Sequence, residues 1–373
     1  MTAGLYFHFP YCRKKCAYCD FTSYPCSSDD IPVLVRSIEK EIALFDLPVP
    51  VIDTVYIGGG TPSLLSAGQV DGILSSSRKK FKMTGKLEIS MEANPESMTP
   101  AKLKGWRAAG VNRISMGVQS LDDKVLRYLG RLADRKQALK AAGMLNKTGF
   151  SNINFDLMFG LPFQDIPRLL EDINTLISYE PRHFSLYSLH LSKGTPLSAR
   201  MRKDGLKLKD DRDYYDTAVE LLEKKGYAAY EISNFAKPGF ECRHNLHYWN
   251  YDPYVGCGPA AVGFIGRTRW KNQPDPMKYM KLVDSGRLPR TKVEQIPDAM
   301  AENEYIMMNL RKTSGVDTAD YKGRFEKDFV KEFGKLIVGF EANGLMSRDD
   351  QRCFITRSGR FVSNAIIREF FRN

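Results

Sequence analysis

Through the first two thirds of this 373-residue chain, short apolar runs alternate with amphipathic stretches at helical spacing. Runs at 5–9, 54–57, 87–91, 113–116, 152–158 and 183–188 read as strands. Stretches at 32–45, 67–80, 100–109, 122–128 with 135–147, and 166–178 read as helices between them. Such alternation predicts a parallel sheet with right-handed crossovers. About six units predict an α/β fold, a partial (β/α)6 barrel that is TIM-like but short of the full eight. Chemistry in such barrels sits at the carboxyl ends of the strands.

Beyond about residue 191 the alternation loosens. A Gly/Pro/aromatic segment at 235–272 precedes an expected linker around 287–297. The remainder reads as three helices and a short hairpin, a small helical, winged-helix-like domain. Within it, 299–311 and 326–342 are amphipathic at helical spacing, and 353–356 with 360–362 read as paired strands. The expected division is therefore 1–235 as barrel core, 236–290 as an intervening segment, and 291–373 as the tail domain.

Bulk composition narrows the class. A hydrophobic fraction of 43% supports a globular core. No apolar run approaches the roughly 20 residues that span a membrane, which leaves peripheral membrane contact open. Seven cysteines without framework spacing fit a reducing, cytoplasmic setting, as does a start without a basic-then-apolar leader. The net charge is +11, but the basic residues form separate clusters. Solvated faces explain them better than a nucleic-acid surface, so no nucleic-acid partner is expected.

Cys12, Cys16 and Cys19 follow the first apolar run with spacing C-x-x-x-C-x-x-C. Cysteine thiolates are the usual ligands of iron–sulfur clusters, and three of them leave one iron of a cubane free. Zinc is the weaker reading, because structural zinc takes four ligands, commonly as two separated pairs. After the second strand comes Gly58-Gly59-Gly60-Thr61-Pro62, a backbone able to approach a ligand closely or simply to turn tightly. Glu92, Gln119, Arg131 and Asp156 lie at or near successive strand ends. A carboxylate in an apolar strand is costly unless paired or ligand-bound, and Arg suits forked recognition of a carboxylate.

Together these motifs resemble the radical S-adenosylmethionine (SAM) superfamily. Tyr6, the cysteines with Tyr18, the glycine run, Glu92, Gln119, Arg131 and Asp156 are similar to its oxygen-independent coproporphyrinogen oxidase-like branch, over roughly the first 190 residues. The resemblance implies a [4Fe–4S] cluster on Cys12, Cys16 and Cys19, with SAM chelated by the open iron and split to a 5′-deoxyadenosyl radical. It implies SAM contacts from Tyr6, Gly59, Gly60, Thr61, Glu92, Gln119, Arg131 and Asp156. Tyr18 and Met158 would line the adenine pocket, and Arg131 would take the SAM carboxylate.

Within that branch the oxidases carry a further cysteine two residues after the third; this chain has Phe21. That resembles the sister group of haem chaperones, which bind haem and deliver it to acceptor proteins such as respiratory enzymes. The run Cys242-Arg243-His244-Asn245-Leu246-His247-Tyr248-Trp249 resembles that group's H-N-x-x-Y-W segment, implying haem contact by His244, Asn245, His247, Tyr248 and Trp249. Two histidines among aromatics also suit hydrogen bonding inside a domain junction. The chain departs from the family pattern at Leu132-Ala133-Asp134 and at Ala260-Ala261-Val262-Gly263, where histidines are usual. Whether SAM is cleaved or only bound stays open. Coproporphyrinogen III decarboxylation is the alternative activity, and RNA modification a third one suggested by charge alone.

Overall fold

The computed structural model describes residues 2–208 and 210–372. Six parallel strands form its centre: β1 (Ala3–Phe9), β2 (Ile52–Gly59), β3 (Met83–Ala93), β4 (Arg113–Gln119), β5 (Asn152–Phe159) and β6 (His183–Ser188), hydrogen-bonded in chain order. Helices on the outer face bury one side of this sheet, and the other side faces the barrel interior. Leu5, Phe7, Ile57, Met91, Ile114 and Phe155 are all buried in one continuous core.

The segment after residue 250 does more than link. Strand Tyr254–Cys257 pairs parallel to the free side of β1, in register Gly4 with Tyr254 through Phe7 with Cys257. Strands Val262–Ile265, Thr268–Asn272 and Arg290–Gln295 continue the sheet antiparallel from it. The stretch expected as a linker thus contributes an edge strand. Glu41, on the helix Asp30–Leu44, anchors the addition by accepting from Gly258 N (2.7 Å), Asn272 Nδ2 (2.6 Å) and Tyr279 Oη (2.6 Å). Beyond β6, Asn234–Ala236 and Ala228–Ala229 add antiparallel strands at the opposite edge.

The tail has its own core, with Tyr305, Tyr321, Phe329, Phe333, Ile337 and Phe370 buried together. Helices Asp298–Asn309, Thr318–Phe325 and Phe329–Ala342 pack on a three-stranded sheet, as the winged-helix reading expects. One detail differs. Strand Arg352–Ile355 pairs with Met346–Arg348 before it, not with 360–362 after it. Residue 360 ends a short helix, because Thr356 caps Gly359 N and turns the chain helical. Among the described residues no helix is long and apolar enough to cross a membrane.

Candidate functional site

At the carboxyl ends of the strands a cavity of about 370 Å³ opens into the barrel. Cys12, Cys16 and Cys19 line it together with Tyr18, Gly59, Gly60, Thr61, Glu92, Gln119, Arg131, Asp156 and Met158. Residues drawn from four strand ends, the cysteine loop and the turn at Arg131 therefore converge on one space.

Local rules put each of them there. Cys12 ends a short strand, Tyr11–Cys12, that pairs with Tyr24–Pro25, and His8 Nε2 meets Thr22 O at 2.9 Å behind it. The middle of the cysteine loop is pinned by Ala17, whose N–H donates to Leu129 O (2.9 Å) and whose C=O accepts from Leu197 N (2.8 Å). Leu129 closes a helix begun at Asp123, and Gly130 stops it in the left-handed region at φ 75°. The paired bonds Gly130 N to Arg127 O and Arg131 N to Leu126 O form a Schellman stop. The Leu-Gly-Arg run thus aims Arg131 inward and ties it to the cysteine loop. Gly60 is required for packing: a Cβ there would sit 2.7 Å from Tyr11 O and 2.8 Å from the Pro10 carbonyl carbon. The glycine run lets β2 and the cysteine loop touch backbone to backbone.

The electrostatics are those of a prepared pocket. Thr61 Oγ1 donates to Cys12 Sγ (3.3 Å), and Arg131 Nη1 lies 3.7 Å from Cys16 Sγ. Burial pushes the Cys12 and Cys19 thiols up, so a positive partner is needed to hold them as thiolates. Arg131 Nη2 donates to Gly117 O (2.7 Å) and Asn94 Oδ1 (3.1 Å), while its buried Nε has no hydrogen-bond partner among the described residues. An unpaired guanidinium N–H on a residue that lines a cavity suits a ligand carboxylate. Glu92 accepts from Tyr56 Oη and Gly59 N, both at 3.0 Å, yet burial and then neighbouring Asp156 push it up to about 7. Asp156 is also raised by burial, against bonds from Asn154 Nδ2 (2.7 Å) and Ser115. Gln119 sits at φ 67°, a strained conformation for a residue with a Cβ, at a register shift that ends β4.

Among the described residues, no three His, Cys, Asp or Glu side chains converge as a single ion requires. The three thiols line the cavity without meeting at one point, an arrangement suited to a cubane, in which each thiolate binds a different iron. These donors and the orphaned Arg131 N–H fit a cluster with an amino-acid ligand beside it.

The remaining expected residues lie elsewhere. Tyr6 is one layer deeper, bonded to His8 Nδ1 (3.0 Å) and stacked on Tyr56. The H-N-x-x-Y-W segment is the helix Arg243–Trp249, and only its Asn245 reaches the cavity. His244 Nδ1 meets Thr54 Oγ1 (2.9 Å) and its Nε2 meets Tyr248 Oη (3.0 Å), so both ring nitrogens are engaged. Burial, then the charge of His247, lowers it to about 3. His247 Nε2 bonds Asp53 Oδ1 at 2.7 Å, and Nδ1 stands 3.8 Å from Asp252, an ion-pair distance too long for a hydrogen bond. Trp249 Nε1 is buried without a partner among the described residues.

Residues not singled out in the sequence also line it, among them Arg113, Ser115, Asn154, Ser185, Tyr56 and Asn94. Arg113 and Asn154 are almost wholly buried within strands. The argument that marked Glu92, a charge inside an apolar strand, applies equally to Arg113 and would have found it.

Comparison with known proteins agrees with this geometry. Residues 6–176 match the Radical SAM superfamily, and residues 299–362 match the HemN C-terminal domain. A solved structure of coproporphyrinogen III oxidase (HemN) from Escherichia coli, a radical SAM enzyme, superposes with a TM-score of 0.85 at 22% identity, covering 98% of this chain and 89% of that one. The fold is the radical SAM fold. The "Heme chaperone HemW" of Bacillus subtilis is 32% identical over 98% of both chains. That of Mycobacterium tuberculosis (strain H37Rv) is 35% identical over 98% of this chain and 94% of its own length. The chain belongs to the heme chaperone HemW family.

Proposed function

We propose that this protein is a haem chaperone on a radical SAM scaffold, holding a [4Fe–4S] cluster and SAM and passing haem to acceptor proteins, respiratory enzymes among them. The observation that carries the reading is similarity to heme chaperones along 98% of the chain. Phe21, in place of the oxidases' further cysteine, favours it over the oxidase alternative. A cytoplasmic setting follows from the same reading, as does a division into core (1–235), intervening segment (236–290) and tail (291–373).

In this reading Cys12, Cys16 and Cys19 hold the cluster, which when bound supplies an electron to SAM. Thr61 and Arg131 donate toward the cysteine sulfurs and steady their negative charge. Arg131 Nε takes the SAM carboxylate, Glu92 faces its cationic end, and Asp156 with Asn154 and Ser115 bonds its hydroxyls. Tyr18 and Met158 flank the adenine. The test is anaerobic reconstitution followed by paired titrations with haem and SAM, then incubation with coproporphyrinogen III. Stoichiometric haem uptake without porphyrinogen decarboxylation is expected; rapid formation of protoporphyrinogen would overturn the assignment.

A further inference from the structure

His183 opens β6 directly beside Asn154 on β5, and both are buried, as is Cys242 at the start of the helix Arg243–Trp249. His183 Nδ1 meets Asn154 Oδ1 at 2.6 Å, and its Nε2 meets Tyr230 Oη at 2.8 Å. Asn154 Nδ2 donates to Asp156 Oδ1 (2.7 Å), and Tyr230 Oη accepts from Cys242 N (3.4 Å). Four hydrogen bonds therefore join a carboxylate of the cluster cavity to the N-cap residue of the H-N-x-x-Y-W helix. The edge hairpin holds Tyr230 in place, with Tyr230 N donating to Asn234 O at 3.2 Å.

The chemistry of the groups gives this chain one direction. The Asp156 carboxylate accepts, so Asn154 turns its amide nitrogen to it and its Oδ1 to His183. His183 must then donate from Nδ1. Burial, then the charge of Arg113, pushes its pKa well below the usual histidine value and keeps the ring neutral. A neutral ring with its proton on Nδ1 has an accepting Nε2, which takes the Tyr230 O–H. The Tyr230 oxygen is left to accept from Cys242 N–H. Every donor points toward Asp156, and bonds so aligned polarise one another. A buried histidine with both nitrogens bonded is ordinarily a core residue. His183 differs in what its bonds connect: a cavity carboxylate on one side and the histidine-bearing helix on the other.

We propose that His183 is a positioning residue that couples two ligand sites. It aims Asn154 and Asp156 at the SAM hydroxyls and ties that aim, through Tyr230, to the start of the helix Arg243–Trp249. The inference rests on the haem-chaperone reading, with haem at that helix as the resemblance implies. A ligand that orders either end orders the shared chain, so the second ligand meets it already set. Each ligand should then tighten the other by one common factor.

The experiment is anaerobic calorimetric titration of the full, cluster-reconstituted chain with SAM, haem-free and saturated with haem. In the unsubstituted chain, SAM affinity should be at least about fivefold higher with haem bound. His183→Phe removes both ring bonds and should weaken haem-free SAM binding about tenfold. His183→Asn places an amide N–H where Nδ1–H stands and should recover most of that loss, a rescue that a packing role alone would not give. Tyr230→Phe cuts the chain on the helix side; it should leave haem-free SAM affinity nearly unchanged and abolish the gain from haem. Cluster absorption in each variant checks that the barrel has formed. Unaltered SAM affinity in His183→Phe, or equal affinity with and without haem in the unsubstituted chain, would overturn this inference alone. Failure of the unsubstituted chain to take up haem would overturn the chaperone reading itself.

Discussion

The two ends of the barrel strands carry the two cysteine- and histidine-bearing motifs, and they are built on opposite terms. On β2, Thr54 meets His244 at the amino end, whereas the turn after Gly59 meets the cysteine loop at the carboxyl end, about 20 Å further along. At the carboxyl end polar groups are buried with work left undone: Arg131 Nε lacks a partner, Glu92 is raised, and Gln119 is strained. At the amino end the charged groups are paired, although His247 Nδ1 and Trp249 Nε1 lack hydrogen-bond partners among the described residues. His247 lies between Asp53 and Asp252, Arg243 Nη2 bonds Asp53 (2.7 Å), and Arg324 from the tail reaches Asp252 (3.1 Å). Buried charges without a full set of partners mark a ligand site, and paired charges mark a joint. In barrels of this kind the carboxyl face carries chemistry and the amino face stability.

The sharpest way to break this contrast is at the cysteines. Cys16→Ala should abolish the visible absorption of a reconstituted cluster and weaken SAM binding by on the order of a hundredfold or more, with little loss of thermal stability. Retention of SAM affinity would mean that the cavity binds its ligand without the cluster. Next in size is Arg131→Gln. Losing a charge-assisted bond to a carboxylate amounts to about 1.5–3 kcal/mol, or roughly ten- to a hundredfold in SAM affinity by calorimetry. An unchanged Kd would place the carboxylate elsewhere.

Much of this contrast was legible from residue order, and the exceptions are instructive. The six barrel strands show because each sends alternate apolar residues into the outer core and each crossover helix has its own apolar stripe. Strand Tyr254–Cys257 does not show, because its place beside β1 comes from the buried Glu41 cluster, whose members lie more than 200 residues apart. The cysteine spacing and the Leu-Gly-Arg stop are local signals, so they announce the site. Arg113 and Asn154 are visible as letters, but their inward direction depends on the barrel's closure. The histidine motif depends on the fold in another way. Its residue types suit a ligand in the sequence, and the fold adds that His244 bonds Thr54 and Tyr248 while Asn245 reaches the cavity.

A comparable effect tests the joint. His247 loses some basicity to burial, but its bond to Asp53 and the charge of Asp252 raise it overall to about 9. Its folded value exceeds the unfolded 6.5, so the stability it contributes is fully present below about 6.5 and is lost as pH rises through 9. The His247→Gln variant should therefore be less stable by roughly 2–3 kcal/mol at pH 6, with the gap closing by pH 10. Urea unfolding at the two pH values measures it, and a pH-independent difference would show that packing, not charge, is what His247 supplies.

An effect of similar size belongs to the cavity and carries the opposite sign. Glu92 is an acid whose folded value, about 7, lies above the unfolded 4.5 because burial and Asp156 disfavour its charge. Between those values the folded chain binds more protons than the unfolded one, so stability falls as pH rises from about 4.5 to 7. Removing the titration with Glu92→Gln should flatten that slope in the ligand-free protein. A cationic ligand beside Glu92 favours its ionised form, so SAM affinity in the unsubstituted chain should rise with pH through about 7 and level off above it. In the Gln variant the affinity should be lower and nearly flat across the same range. Matching pH profiles for the two proteins would detach Glu92 from the ligand and return it to the same category as the paired carboxylates at the amino end.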